Sequence, residues 1–150
     1  MTRRSLLQLA PTAVAAAQSL PKATGRIQPR PSKEIAASPI SIGFETLDRK
    51  MFDPERCYPH LAQTGVKWAR CQTGWARTET RRGEYDFVWL DNVVDRLRAI
   101  GIQPWFNLGY GNTLYTPGAK HETAVGWAPL NSDEARRGWV QYVERIAQRF

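Results

Sequence analysis

An α/β fold built on a parallel sheet is predicted by three features of the chain. Short apolar runs begin near residues 40, 66 and 102, spaced 26 and 36 residues apart, the size of strand–helix units. An amphipathic stretch with helical periodicity separates the second run from the third. The third run leads into "NLGYGN" (Asn107–Asn112), a loop of hydrogen-bonding groups and an aromatic ring. A closed (β/α)8 TIM barrel needs roughly 200–250 residues. Residues 39–150 therefore read as the first three βα units of such a barrel, incomplete, and the chain reads as a fragment. A doubly wound sheet shares the alternation, but "GFETLDRK" after the first run contains no glycine-rich phosphate loop.

The elements follow in order. Ile40–Phe44 is the first strand. Asp53-Pro54 combines a capping side chain with a proline at the first helical position, so a helix begins there. Pro59 is expected to shorten or break it before Gly65. Val66–Gln72 is the second strand. Asp86 caps the second helix, whose stripe is Leu90, Val93, Val94 and Leu97, and Gly101 ends it in the left-handed position. The third strand covers Gln103–Leu108, with Pro104 tolerated near its start. Asn131 and Glu134 have the spacing of a capping box for a third helix, with Trp139, Val143, Ile146 and Phe150 on one face.

The N-terminus reads as an address. Arg3-Arg4, then Ser5-Leu6-Leu7 and small residues up to Ala17, have the pattern of a twin-arginine export signal over residues 1–17. Leu6–Ala17 is too short for a stable membrane span. Residues 18–38, rich in Pro, Ser, Ala and basic residues, read as a linker. Export places the mature protein in an oxidising compartment, with Cys57 and Cys71 expected as buried thiols. Of the net charge of +7, residues 1–35 carry +5. The rest shows no basic stripe interleaved with aromatics, which argues against nucleic acid. No Cys/His cluster suggests a metal, and no cofactor is implied.

In a βα barrel the site lies at the carboxyl ends of the strands. Alternation puts Trp68, Arg70 and Gln72 on one face of the second strand and Lys67, Ala69 and Cys71 on the other. The following loop supplies Trp75, Arg77 and Glu79. The third strand puts Trp105 and Asn107 on one face and leads to Tyr110, Asn112 and Tyr115. Planar polar groups for hydroxyls and flat faces for C–H surfaces are what a sugar needs. The candidate substrate-binding residues are therefore Arg70, Gln72, Trp75, Trp105, Asn107, Tyr110, Asn112 and Tyr115. Each has a structural alternative: an ion pair for Arg70, a loop hydrogen bond for Asn107, barrel filling for Trp105. Trp75 and Tyr110 are the candidates for exposed stacking, against packing beneath a loop. Glu45, Glu79 and Glu84 are expected to be surface charges, and neither His60 nor His121 pairs with a nucleophile.

The run "GVKWARCQTGWARTETRRGEYDFVWLDNVVDRLRAIGIQPWFNLGYGNTLY" (Gly65–Tyr115) resembles clan A glycoside hydrolases, particularly family 39-like enzymes. It has a strand with Arg near its end, then "G-x-Y-x-F-x-x-L-D" opening a helix, then "G-I-x-P" and a strand. "DEARRGWVQYVERIAQRF" resembles the helix before strand four. Family 42 β-galactosidases carry a similar "YDF-x-WLD" element. The resemblance implies a retaining glycosidase of xylosidase or iduronidase type, with two catalytic glutamates beyond Phe150 and no catalytic residue in this chain. Alone, the chain is then expected to be inactive and poorly folded. Arg70 matches the family's arginine near the nucleophile. Gln72 stands where some relatives have histidine, so the sugar stays open. An oligosaccharide or glycoside is the implied partner. A carbohydrate-binding barrel without the glutamate pair is the competing reading.

Overall fold

The computed structural model describes residues 24–26, 28–121 and 123–150. The export signal predicted over residues 1–17 lies outside the described residues. Three parallel strands, β1 (Ser41–Gly43), β2 (Trp68–Gln72) and β3 (Gln103–Asn107), form one sheet in the order β1-β2-β3. The register sets Gly43 and Trp105 on either side of Arg70, and Asn107 beside Gln72. The strands are shorter than the apolar runs that predicted them. Ile40 turns its amide to the Ser38 hydroxyl instead of a neighbouring strand, and Gly65 before β2 has a positive φ of 73°.

Pro104 lies inside β3, opposite Ala69. The Gln103 amide bonds to Lys67 O at 2.8 Å, so alternation turns the Pro104 nitrogen toward the unpaired side of this edge strand.

The crossovers carry α1 (Tyr58–Leu61), α2 (Trp75–Thr78) and α3 (Val88–Ala99), and α4 (Asp133–Arg149) follows β3. Asp53 caps as expected, accepting from Glu55 N at 3.0 Å, but what it caps is a single 3-10 turn, Pro54–Arg56. The helix expected from Asp53 is short and broken, as predicted, into this turn and α1, although Pro59 itself sits in the first turn of α1, where no amide partner is lost. Helix α3 buries the predicted stripe of Leu90, Val93, Val94 and Leu97. Asp86 accepts from Val88 N at 2.9 Å at its start. At its end Gly101, with φ of 81°, lets Ile102 N reach back to Leu97 O.

Helix α4 departs from expectation. Its cap is Ser132, which accepts from Ala135 N at 3.1 Å. Glu134 pairs with Arg82 instead of closing a box with Asn131. The buried stripe is Ala135, Gly138, Tyr142 and Ile146, rotated from the predicted one. The rotation follows from Gly138, against which the Tyr115 ring packs; a Cβ there would lie 2.6 Å from the ring.

The helices cover one face of the sheet. Ala69 and Cys71 meet Leu61, Val93 and Leu97 in one cluster, which Phe44, Leu47 and Tyr58 complete. Fully burying a side chain of this size contributes about 1.5–3 kcal/mol. A second cluster of Trp75, Phe87, Leu90, Tyr142 and Ile146 attaches α4. The opposite face is open, with Trp68 and Trp105 both exposed. Residues expected within the linker also pack: Ser32–Glu34 form a 3-10 turn, with Ser32 N bonded to Ala62 O and its carbonyl accepting from Lys67 Nζ. Both cysteines are free thiols. Cys71 is buried, which pushes its pKa up to about 12 with help from the Glu45 charge, whereas Cys57 is only half-buried.

Gly138 decides between two opposing effects. Alanine in a helix interior is normally favoured over glycine by about 1 kcal/mol. Here the methyl group collides with Tyr115, and overpacking costs about 1–3 kcal/mol. Gly138→Ala is therefore expected to lower the urea midpoint, and a raised midpoint would show that Tyr115 moves aside freely.

Candidate functional site

The open face carries a polar cluster at the carboxyl ends of all three strands. Directly after β1, Glu45 pairs with Arg70, whose guanidinium carbon lies 5.8 Å from the centre of the Trp105 ring. Trp105 is oriented by its indole N–H, which donates to Ser41 Oγ at 2.9 Å. Gln72 is held at both ends: its carbonyl oxygen accepts from Thr46 N at 2.9 Å, and its amide donates to the Tyr110 hydroxyl at 2.6 Å and to Glu45 Oε2 at 3.4 Å. Arg49 lies 5.3 Å over the Tyr110 ring. Asn107, beside Gln72 in the register, is exposed.

Stability does not explain this arrangement. Arg70 and Glu45 keep 45% and 25% of their side-chain surface in water. An exposed pair of that kind is worth about 0–1 kcal/mol. What it supplies is a fixed array of a cation, a carboxylate, an amide and two aromatic rings around one open surface.

The eight candidate residues divide. Arg70, Gln72, Trp105, Asn107 and Tyr110 share the strand ends. Trp75, Asn112 and Tyr115 lie in a separate, buried assembly around Glu79. Trp75 is no exposed stacking platform. It is fully buried, stacked on Tyr115 and Tyr142 at centroid distances of 4.9 and 5.6 Å. Glu79, expected at the surface, is fully buried too. Its carboxylate accepts from Trp75 Nε1 at 2.5 Å, from Gly83 N at 2.7 Å and from the Tyr115 hydroxyl at 2.7 Å. Asn112 donates to the Glu79 backbone carbonyl at 2.8 Å and accepts from Leu114 N. Burial and the bond to Glu79 push the Tyr115 hydroxyl pKa well above its ordinary range.

Glu45 was missed as a site residue because its strand is only three residues long, although its place one residue beyond an apolar run was a usable signal. The Glu79 assembly was also legible in part: Trp75 and Glu79 are four apart, hence on one side of a helical turn. Glu84 is exposed as expected, 3.5 Å from Arg81.

Behind the cluster, the turn Leu47–Arg49 is bounded by left-handed Thr46 and Lys50. It buries Asp48, neither of whose carboxylate oxygens has a hydrogen-bond partner among the described residues. Burial raises its carboxyl pKa, against the nearby Arg49 charge. Among the described residues no group of three or more His, Cys, Asp or Glu side chains gathers as metal ligands. No helix among them is long and apolar enough to cross a membrane.

Residues 50–109 match the family model for glycoside hydrolase family 42, described as beta-galactosidase. The match covers less than half of the chain and includes Arg70, Gln72, Trp105 and Asn107. It supports a glycoside hydrolase and a carbohydrate substrate. It does not support family 39 in particular. No curated protein matches.

Replacing Glu79 tests the buried assembly. Glutamine keeps the shape but turns an N–H₂ toward at least one of three buried donors, and an unpaired buried donor costs about 1–3 kcal/mol. Glu79→Gln is expected to destabilise by about that amount and Glu79→Ala by more, read from urea unfolding followed by tryptophan fluorescence. An unchanged midpoint in both would show that the carboxylate does not hold these loops.

Proposed function

We propose that the open face is part of the substrate cleft of a glycoside hydrolase built on a (β/α)8 barrel. The observation that carries this reading is the Glu45–Arg70–Gln72–Tyr110 array at the carboxyl ends of three parallel strands, of which Arg70 and Gln72 lie within the segment similar to family 42 and Glu45 and Tyr110 flank it. A parallel sheet is normally covered on both faces. Here Trp68 and Trp105 stay exposed on one, which fits the interior side of a larger sheet.

In this reading Arg70 donates to ring hydroxyls, Asn107 adds an exposed amide, and Trp105 and Tyr110 offer faces to the C–H surface of the sugar, while Gln72, buried with its amide hydrogens engaged by Tyr110 and Glu45, holds the array from beneath. A retaining mechanism needs two carboxyl groups about 5–5.5 Å apart. Glu45 is the one carboxylate hydrogen-bonded into the cluster among the described residues, and its pairing with Arg70 suits substrate orientation. The catalytic pair is expected from chain beyond Phe150. The family 42 match makes β-galactosides the first substrates to test, ahead of xylosides and iduronides.

Export through the twin-arginine route is also part of the proposal. It rests on Arg3-Arg4 and the small residues that follow. Replacing both arginines by lysine is expected to retain the precursor in the cytoplasm, and unaltered export would end that reading.

The binding test is a calorimetric titration of the full chain with galactose, β-galactosides and nucleotides. Arg70→Ala is expected to weaken the best-bound sugar about 10–100-fold, a loss of roughly 1.4–2.8 kcal/mol. Binding of nucleotides but not sugars would replace the proposal with a nucleotide-binding sheet.

A further inference from the structure

Asp48 is a buried acid that the cluster leaves unused. Its side chain is closed to water, and neither carboxylate oxygen has a hydrogen-bond partner among the described residues. Arg49 Nε stands 3.6 Å from Oδ1, beyond hydrogen-bond range, and is itself buried without an acceptor among those residues. An unused donor and an unused acceptor therefore lie side by side on one turn, where each is costly.

That turn is tied to the open face at two points. Thr46 N donates to Gln72 Oε1 at 2.9 Å, and the Arg49 guanidinium carbon lies 5.3 Å from the centre of the Tyr110 ring. Gln72 and Tyr110 are themselves joined at 2.6 Å. Thr46 and Lys50, on either side of the turn, have φ of 63° and 54°, a conformation that residues with a Cβ keep where their surroundings impose it. Closing the gap between Arg49 and Asp48 moves the guanidinium relative to the Tyr110 ring.

The titratable groups that act on Asp48 or feel its charge are Arg49 on its own turn, Arg77 on α2 and Tyr142 on α4. Arg77 is already engaged: it donates to Leu47 O, and its guanidinium lies 4.2 Å over the Trp89 ring. Tyr142 is a fully buried phenol stacked on Trp75, and burial keeps it neutral. Strand β2 also packs against the turn, but its Arg70 is paired with Glu45 and its Cys71 is a neutral thiol. Among the described residues, Arg49 is the one able to respond, since its side chain is partly in water and its Nε has no acceptor.

We propose that the turn Leu47–Arg49 is a pH-sensitive latch on the open face: protonated Asp48 leaves Arg49 on the Tyr110 ring, whereas ionised Asp48, its proton released to solvent, draws Arg49 to itself and loosens the Gln72–Tyr110 pair. Burial raises the Asp48 carboxyl above its ordinary range. The protonated latch therefore adds stability that is fully present below that ordinary range and is lost as pH rises through the raised value. The latch itself needs no ligand but a proton; its control of sugar binding rests on the glycoside-binding reading above.

Its test is a pH titration of the full chain by NMR, following the Asp48 carboxyl carbon, the Arg49 Nε–H and the Tyr110 ring. In wild type the three signals are expected to titrate together, above the ordinary carboxylate range. Asp48→Asn, which has the shape of the protonated acid and cannot ionise, should hold the Arg49 and Tyr110 signals at their low-pH positions throughout. Circular dichroism establishes that the variant is folded, and the wild-type titration decides by itself if it is not. Calorimetry with a β-galactoside should show wild-type affinity falling about five-fold or more as Asp48 ionises, with no such fall in Asp48→Asn. An Asp48 that titrates in the ordinary range, or Arg49 and Tyr110 signals that ignore it, overturns the latch and leaves the cleft at Arg70 standing. Co-titration in a protein that binds no sugar keeps the latch and ends the glycoside-binding reading.

Discussion

A carboxylate sealed from water holds this structure together. Glu79 is fully buried and has no ion-pair partner among the described residues, a placement that costs several kcal/mol unless every lone pair is used. Three donors from three places answer it: an indole from α2, a backbone amide from the turn before α3, and a phenol from the loop after β3. Its own carbonyl takes a fourth, from Asn112. The loops after β2 and β3 are therefore tied to one another, and through Tyr115 and Gly138 to α4. The open face depends on this tie through Tyr110, which belongs to the loop after β3 and whose hydroxyl accepts from the amide of Gln72 at the end of β2.

The two carboxylates of the strand-end region show how environment assigns role. Glu79, with no exposure and donors of fixed geometry, organises backbone and meets no ligand. Glu45, two residues past β1 and partly in water, sits against a cation that is itself partly solvated. Its pairing contributes little to stability but keeps Arg70 extended across the sheet toward Trp105. Chemistry in contact with a ligand belongs on the second kind of site, and architecture on the first.

Much of this was legible in the sequence, for a physical reason. Period-2 alternation placed Trp68, Arg70 and Gln72 on one face of β2, where Trp68 and Arg70 are exposed as expected but Gln72 is buried, and period-3.6 spacing placed Leu90, Val93, Val94 and Leu97 on the buried side of α3, as expected. Each rests on local geometry alone. What escaped was set by distant partners. The face of α4 is chosen by Tyr115 fitting against Gly138, and Ser132 caps it because Glu134 is drawn to Arg82. Trp75 reads identically as a stacking platform or a core residue until the carboxylate four residues on is seen to be buried with it. Ser32, in a stretch with the composition of a linker, docks because Ala62 and Lys67 offer it partners.

Pro104 has a consequence for assembly. Along β3 the residues facing the unpaired edge are Pro104 and Phe106, and proline offers a carbonyl without an amide hydrogen. That edge is thus a lopsided template, short of a donor at its amino-terminal half and complete only near the strand end where the polar cluster lies. A stray strand from another molecule finds half a ladder there, which discourages edge-to-edge aggregation. A strand meant to extend the sheet must match its donors to the isolated carbonyl, so the proline selects both against unwanted neighbours and for the register of a correct one.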